Sequence, residues 1–385
     1  MTETLCLLNP HAQGGRLRRR APALRQAVTE RAPAAVLAQP ESVEEALGLI
    51  RALPGGSRVL AFGGDGTVNR WLPALLEGGH TLGLVPLGSG NDLARALGVF
   101  GLPWAQAMEC ALTSAASLMD VGVVELPESP RTSGAVVPHP EAVRHELGAV
   151  SPQGPGGTRT RPRPPKGAQE TLGAALRFLV DPVDTASASR HVPFLSSLAV
   201  GFDASVGLRA LRGPRWLRGQ PRYLLATLQE LLHLRSWELR VECDGGAPDG
   251  EGGRVRSRSP GQGDAASTWH GRVLLASTLN TRSYGSGMPA APDARIDDGR
   301  LELLRAQAMG RAGVLTLLPR LLRGTHLSDP RVSLQSFQTL QVQAQDPVPL
   351  AVDGEYLGAF NRFAVRVLPG RLPVVRSTKS PRFGK

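Results

Sequence analysis

The sequence is short of cysteine, aromatic residues and lysine, and each shortage narrows what the chain can be. Cys6, Cys110 and Cys243 are its only cysteines, far apart and without a CxxC spacing. That argues against a disulfide framework or a thiolate zinc site and suits a reducing, cytoplasmic setting. Aromatic residues make up 4% of the chain, too few for the stacking platforms that bind single-stranded nucleic acid. No stretch approaches the roughly 18 uncharged apolar residues of a membrane-spanning helix. The start, Met1-Thr-Glu-Thr-Leu-Cys6, lacks the basic and then apolar order of a secretion signal. Lys166, Lys379 and Lys385 are the only lysines among 44 basic residues, so arginine supplies almost all of the net charge of +11. In a chain rich in Ala, Gly and Pro that bias reads first as composition, although a basic surface also suits anionic headgroups.

What is present is enough for two domains: 385 residues, 41% hydrophobic and 20% charged. The first 125 residues alternate short apolar runs with amphipathic ones. Strands are expected at Thr4–Leu8, Ala34–Ala38, Arg58–Phe62 and Thr81–Val85, and helices at Arg16–Arg31, Ser42–Leu53 and Val68–Glu77. Ser42 and Glu45 have capping-box spacing. Alternation of this kind predicts an α/β domain with a parallel sheet covered on both faces. After Val124 the pattern breaks. Segments rich in Pro, Gly, Ser and Arg, about 127–190 and 244–267, read as flexible insertions, the first with a short helix over Thr171–Val180. The remainder, to residue 368, reads as a β-rich, sandwich-like domain, with 369–385 as a tail. Two leucine-rich helices, Tyr223–Leu234 and Arg311–Leu322, interrupt the strands, and their wide apolar stripes suggest core packing.

Chemistry concentrates in two glycine loops. Gly63-Gly64-Asp65-Gly66-Thr67 follows a strand and opens a helix, where backbone N–H groups and the helix dipole favour phosphate. Glycine lets the main chain approach an anion closely. Gly88-Ser89-Gly90-Asn91-Asp92 has the same placement after the next strand. Together the loops would line a cleft at adjoining strand ends, where open α/β sheets bind ligands. The sequence contains no GxxxxGK[ST], and neither loop matches GxGxxG. The HRD and DFG signatures of protein kinases are missing as well.

Gly63-Gly64-Asp65-Gly66-Thr67-Val68-Asn69 and Pro86-Leu87-Gly88-Ser89-Gly90-Asn91-Asp92 resemble the nucleotide loops of the diacylglycerol kinase family, which includes sphingosine and ceramide kinases. The resemblance continues through Asn9-Pro10, Asp120-Val-Gly, Gly201-Phe-Asp203, the stretch from Pro292 through Asp297-Asp298-Gly299, and Asp353-Gly354-Glu355. It implies an NAD kinase- and phosphofructokinase-like α/β nucleotide domain, a β-sandwich-like lipid domain, and a site between them. Gly63, Gly64, Asp65, Gly66, Thr67, Val68 and Asn69, with Gly88, Ser89, Gly90 and Asn91, would hold ATP. Asp65 would act through Mg²⁺, since a bare carboxylate beside triphosphate is repelled. Asp92 and Asp120 would join the acidic network around that metal. The proton acceptor falls on Glu355, with Asp353 as the alternative. Asp298, with the carbonyls of Arg295 and Arg300, would form a second, structural magnesium site.

The chain departs from the family at Arg70, where Glu is usual, and at Ser89, where Thr is usual. The polar Thr expected after the second strand is missing around Ala38-Gln39. The expected partners are a lipid substrate and, transiently, the anionic inner face of a membrane, with homodimerisation open and no nucleic acid. The Arg-rich stretch Arg159–Lys166 is expected to assist docking on anionic lipid. The rivals are an NAD kinase-like enzyme, which shares the GGDGT loop, and a catalytically silent lipid-binding protein of the same fold, which Arg70 would favour.

Overall fold

The computed structural model describes residues 3–10, 17–88, 90–127, 189–214, 217, 220–244 and 267–377. Met1–Leu126 and His191–Lys385 form one compact unit; Pro127–Arg190 forms a second. Ser89, the bulk of both expected insertions, the short helix at Thr171–Val180 and the stretch Arg159–Lys166 lie outside the described residues.

The first half runs β1 (Thr4–Leu8), α1 (Leu17–Arg31), β2 (Val36–Ala38), α2 (Val43–Arg51), β3 (Arg58–Gly63), α3 (Asp65–Glu77), β4 (Thr81–Pro86), α4 (Asp92–Ala96), α5 (Trp104–Thr113) and β5 (Ala116–Pro127). β1 pairs in parallel with β2 and β3, and β3 in parallel with β4. Residues two apart in these strands face the same side. Leu5, Leu7, Val59, Ala61, Leu82 and Leu84 are buried against α2 and α3. Cys6, Leu8, Leu60, Phe62 and Val85 are buried against α1 and α5. Both faces are thus covered, which explains the continuous apolar runs. The Ser42 hydroxyl caps α2 by accepting the Glu45 N–H at 3.0 Å, while Glu45 accepts the N–H of Glu41 at 2.8 Å. The return bond thus reaches one residue beyond the usual box.

The second half contains β6 (Ser189–Phe194), β7 (Ser197–Val200), α6 (Phe202–Arg212), α7 (Gln220–Leu231), β8 (Trp237–Cys243), β9 (Ser267–Leu279), β10 (Leu301–Gln307), α8 (Arg311–Leu322), β11 (Val332–Phe337), β12 (Thr339–Val352) and β13 (Glu355–Val375). Its strands pair antiparallel around a separate hydrophobic core. β12 and β13 form a hairpin in which Val352 pairs with Glu355 across Asp353-Gly354. Both turn residues have positive φ, 46° and 87°, as a two-residue type I′ turn requires.

Three expectations change. Residues 369–375 are strand, not tail: Leu372–Val375 pair with β5, and Val374 lies opposite Leu82 of β4 in parallel. Pro369, Gly370 and Pro373 interrupt the alternation that would have marked this strand in the sequence. The helix expected over Val68–Glu77 begins earlier, at Asp65, with Gly64 as its cap. α6 had been visible only as the Gly-Phe-Asp motif at its start.

Candidate active site

The two glycine loops touch backbone to backbone. A Cβ on Gly64 would lie 2.6 Å from the Gly88 Cα, and one on Gly88 would lie 2.5 Å from the Gly64 Cα. Glycine is therefore required at both positions by the loop–loop contact itself. Gly63 is crowded by the Thr67 side chain, whereas nothing lies within 4 Å of a Cβ on Gly66. Asn91 closes the second loop in left-handed conformation (φ 59°), its side-chain oxygen accepting the Gly88 N–H at 3.2 Å and its amide donating to the Gly88 carbonyl at 2.9 Å. Asn tolerates that region better than other non-glycine residues. Asn9 donates to the Thr67 hydroxyl at 2.7 Å and ties the first strand's end to the same loop.

The acids join loops that are remote in sequence. Asp65 accepts the N–H of Asp92 at 2.8 Å and of Leu93 at 3.2 Å. Asp92 accepts the Ser283 hydroxyl at 3.1 Å and the Ser286 N–H at 2.8 Å. Burial pushes the Asp65 carboxyl up to about 7, helped by the negative charge of Asp92 and then Asp353. Burial also raises Asp92.

Asp353 and Glu355 differ sharply. Asp353 accepts four N–H bonds, from Asn69 Nδ2 and the backbones of Leu195, Ser196 and Ser197, all at 2.8–2.9 Å. Its oxygens have about four lone-pair sites in all, so it has none to spare. Burial nevertheless raises its proton affinity. The half-exposed Glu355 instead pairs with the half-exposed guanidinium of Arg70 at 2.9 Å. The hairpin of the second half is therefore held directly against the first glycine loop and α3.

Asp120 does not join the Asp65 cluster through its carboxylate. Its oxygens accept the N–H groups of Gly299 and Gly370, both at 2.7 Å, and its charge acts on Asp298. Asp298 caps its own turn by accepting the Arg300 N–H at 3.1 Å, and burial raises its carboxyl. Neighbouring Asp297 is ion-paired to Arg376 at 2.8 Å and Arg295 at 3.3 Å. Among the described residues no group of three or more His, Cys, Asp or Glu side chains is placed to hold a metal ion. The donor set around Asp65 therefore does not form an all-protein cage. Two buried carboxyls whose proton affinity is raised do fit a cation that would draw them back to the charged form, as an Mg²⁺ taking most of its ligands from water and phosphate would.

Sequence reading missed four contributors. Ser283 and Ser286 hold Asp92, and Asn280 bridges the Asp120 and Leu195 carbonyls at 2.9 Å each. Tyr223 of α7 brings its hydroxyl 4.0 Å from a Cβ on Gly354. Only the run Ser283-Tyr-Gly-Ser-Gly287 carried a signal, as small residues at a strand end.

Comparison with known proteins finds relatives of both halves of the chain. Residues 3–124 match the family described as "Diacylglycerol kinase catalytic domain". Residues 196–376 match "YegS C-terminal NAD kinase beta sandwich-like domain". The chain is 26% identical over 330 residues to a diacylglycerol kinase of Mycobacterium tuberculosis, covering 86% of this chain and 79% of that protein. It is 25% identical over 242 residues to a probable YegS-like lipid kinase of Pectobacterium atrosepticum, covering 62% and 72%. In fold it is similar to the crystal structure of a diacylglycerol kinase from Bacillus anthracis, with TM-score 0.60, 15% identity and coverage of 98% and 97%. The matches span both halves that build the site, and the chain belongs to the diacylglycerol kinase family of lipid kinases.

Proposed function

We propose that the protein transfers the γ-phosphoryl group of ATP to the hydroxyl of diacylglycerol or a close lipid relative, at the inner face of a membrane. The observation that carries this reading is the placement of Glu355, a half-exposed carboxylate held beside the first glycine loop by the Asn69–Asp353 and Arg70–Glu355 contacts, each 2.9 Å. The open space at Gly66 supports a nucleotide there, since this glycine meets no protein atom that would require it. Phosphate oxygens would take N–H groups from the loop and first turn of α3. Arg70, the cation paired with Glu355, would turn to the triphosphate and free the Glu355 carboxylate.

In the transfer step the lipid hydroxyl oxygen attacks the γ-phosphorus. The new O–P bond forms as the bond to the ADP oxygen breaks, and the hydroxyl proton passes to Glu355. Much of the acid's contribution is to orient the hydroxyl in line. Asp65 and Asp92 would hold Mg²⁺ through one or two carboxylate contacts, and the ion would supply neutralisation of the phosphate charge. Asp353 acts as a brace in this reading, and Asp298 with the Arg295 and Arg300 carbonyls would hold a second Mg²⁺ at its turn.

The test is transfer of label from ATP, with Mg²⁺, into a panel of detergent-dispersed lipids alongside NAD. Label in diacylglycerol, lost in Glu355→Gln, is the expected result. Label in NAD alone would move the protein to NAD kinase-like chemistry. ATP binding with no transfer to any acceptor would favour a silent lipid-binding protein in which the Arg70–Glu355 pair stays closed.

A further inference from the structure

The leucine-rich helix α7 does not bury its stripe as the sequence pattern predicts. Its inner face carries Ala226, Thr227 and Leu231, all buried, and Glu230, which pairs with Arg209 of α6 at 2.7 Å. Leu224 and Leu228 on the outer side, and Leu232 one residue past the helix end, follow at four-residue spacing and are 44%, 45% and 68% exposed. Leu211, at the end of α6, is 57% exposed. An exposed apolar row on a helix marks a surface that something covers.

Cations flank the row at both ends. The Arg222 guanidinium donates to the carbonyls of Leu211 and Gly213. Arg311, from the start of α8, donates to the carbonyls of Leu231 and Leu232, both at 3.0 Å. These arginines are fixed by backbone dipoles, which leaves their positive charge available to an anionic partner. Arg212 and Arg235 extend the basic rim and are exposed. Apolar side chains between cations complement a bilayer surface, where acyl chains lie beneath anionic headgroups. A second copy of the chain fits less well, since a two-fold contact on this face would bring arginine against arginine.

The row also adjoins the site. Leu224 follows Tyr223, whose hydroxyl reaches the Gly354 turn. A cleft of about 460 Å³ opens beside it, lined in part by Leu208, Arg209, Arg212, Pro349 and Tyr356. We propose that the outer face of α7 is the membrane-docking surface, its leucines entering an anionic bilayer from which the acceptor lipid is taken. The proposal rests on the lipid-acceptor reading above and names where that lipid is met.

The test compares the wild type with the triple variant Leu224→Ser/Leu228→Ser/Leu232→Ser by flotation on phosphatidylglycerol and on phosphatidylcholine vesicles. Phosphate transfer is measured in parallel, to diacylglycerol within vesicles and to a short-chain diacylglycerol dispersed in detergent. Melting curves confirm that the variant is folded. The triple variant is expected to lose vesicle binding by about tenfold or more, as three buried leucines would imply, and transfer in vesicles falls with it while transfer to the dispersed lipid persists. Arg212→Glu/Arg235→Glu is expected to abolish the preference for phosphatidylglycerol while the leucine row stays intact. Unchanged flotation of the triple variant would overturn the proposal. So would a wild-type dimer that ignores vesicles and dissociates in the triple variant. Wild-type transfer to no lipid at all, with flotation still lost in the variant, would refute the acceptor reading and leave docking in place.

Discussion

Two turns of similar sequence sit in the second half of the molecule. Asp297-Asp298-Gly299 and Asp353-Gly354-Glu355 each combine acids with a left-handed glycine, at φ 71° and 87°. In the first, neither acid is carried to the glycine loops: Asp298 caps the turn, and Asp297 pairs with nearby Arg295 and with Arg376, 79 positions away. In the second, Asp353 is occupied by N–H groups from two remote segments, which carries Glu355 to the first glycine loop. An Asp-Gly pair encodes a turn; what the turn delivers depends on the segment that reaches back to it.

The largest effect expected from this contrast is on Glu355. Glu355→Gln should lower the transfer rate about 10²–10⁴-fold and leave the melting temperature unchanged. Kinetics and calorimetry on one preparation would check this, and full activity would remove the distinction between the turns. Asp353→Asn should act mainly on stability. It places an amide donor among four N–H donors, at about 1–3 kcal/mol for each bond left unmade. Asp298→Asn in the other turn should shift melting by no more than about 2 °C, since surface changes lie within about 0.5 kcal/mol. Equal melting losses would break the comparison.

The first glycine loop offers the same contrast at closer range. Gly64→Ala meets Gly88 backbone at 2.6 Å and should abolish folding of the loop, with loss of ATP binding and a lowered melting temperature. Gly66→Ala meets no atom within 4 Å and should weaken ATP binding alone, measured by titration. Arg70→Ala removes an exposed ion pair, worth about 1 kcal/mol or less to stability. Its effect should appear as a KM for ATP raised by about tenfold, from the lost charge-assisted bond.

The smallest effect concerns pH. The Asp65 carboxyl, pushed up to about 7 by burial and then by Asp92, holds a proton in the folded chain that the unfolded chain loses near its ordinary value of about 3.9. The folded state thus binds more protons across this window, and its contribution to stability declines as pH rises from about 4 to about 7. Asp65→Asn should flatten that decline in metal-free melting curves. A slope equal to the wild type's would assign the pH dependence to other groups.

Much of the first half was legible. The continuous apolar runs of β1, β3 and β4 are local signals, and they are continuous because both faces meet helices. The glycine loops stood out because backbone contact admits no side chain there. The roles of the acids were not legible. Asp65, Asp92 and Asp120 read as one metal network, yet each carboxylate links loops, and Asp120 serves a different pair of turns. The stripe of α7 read as core because periodicity shows that a helix has an apolar face, but not what covers it.

The amino-acid sequence by itself determined the alternating α/β half, the two glycine loops, the acidic turns and the family to which they belong, since each rests on residues adjacent along the chain. Tertiary structure decided which acid stays half-exposed beside the first glycine loop, where β13 ends and which leucines meet solvent. Asn69 and Asp353 are 284 positions apart, and Leu195 and Asp353 are 158 apart. A carboxylate's lone pairs and a leucine's exposure are settled only when such distant segments arrive, and neither quantity is a property of the local sequence.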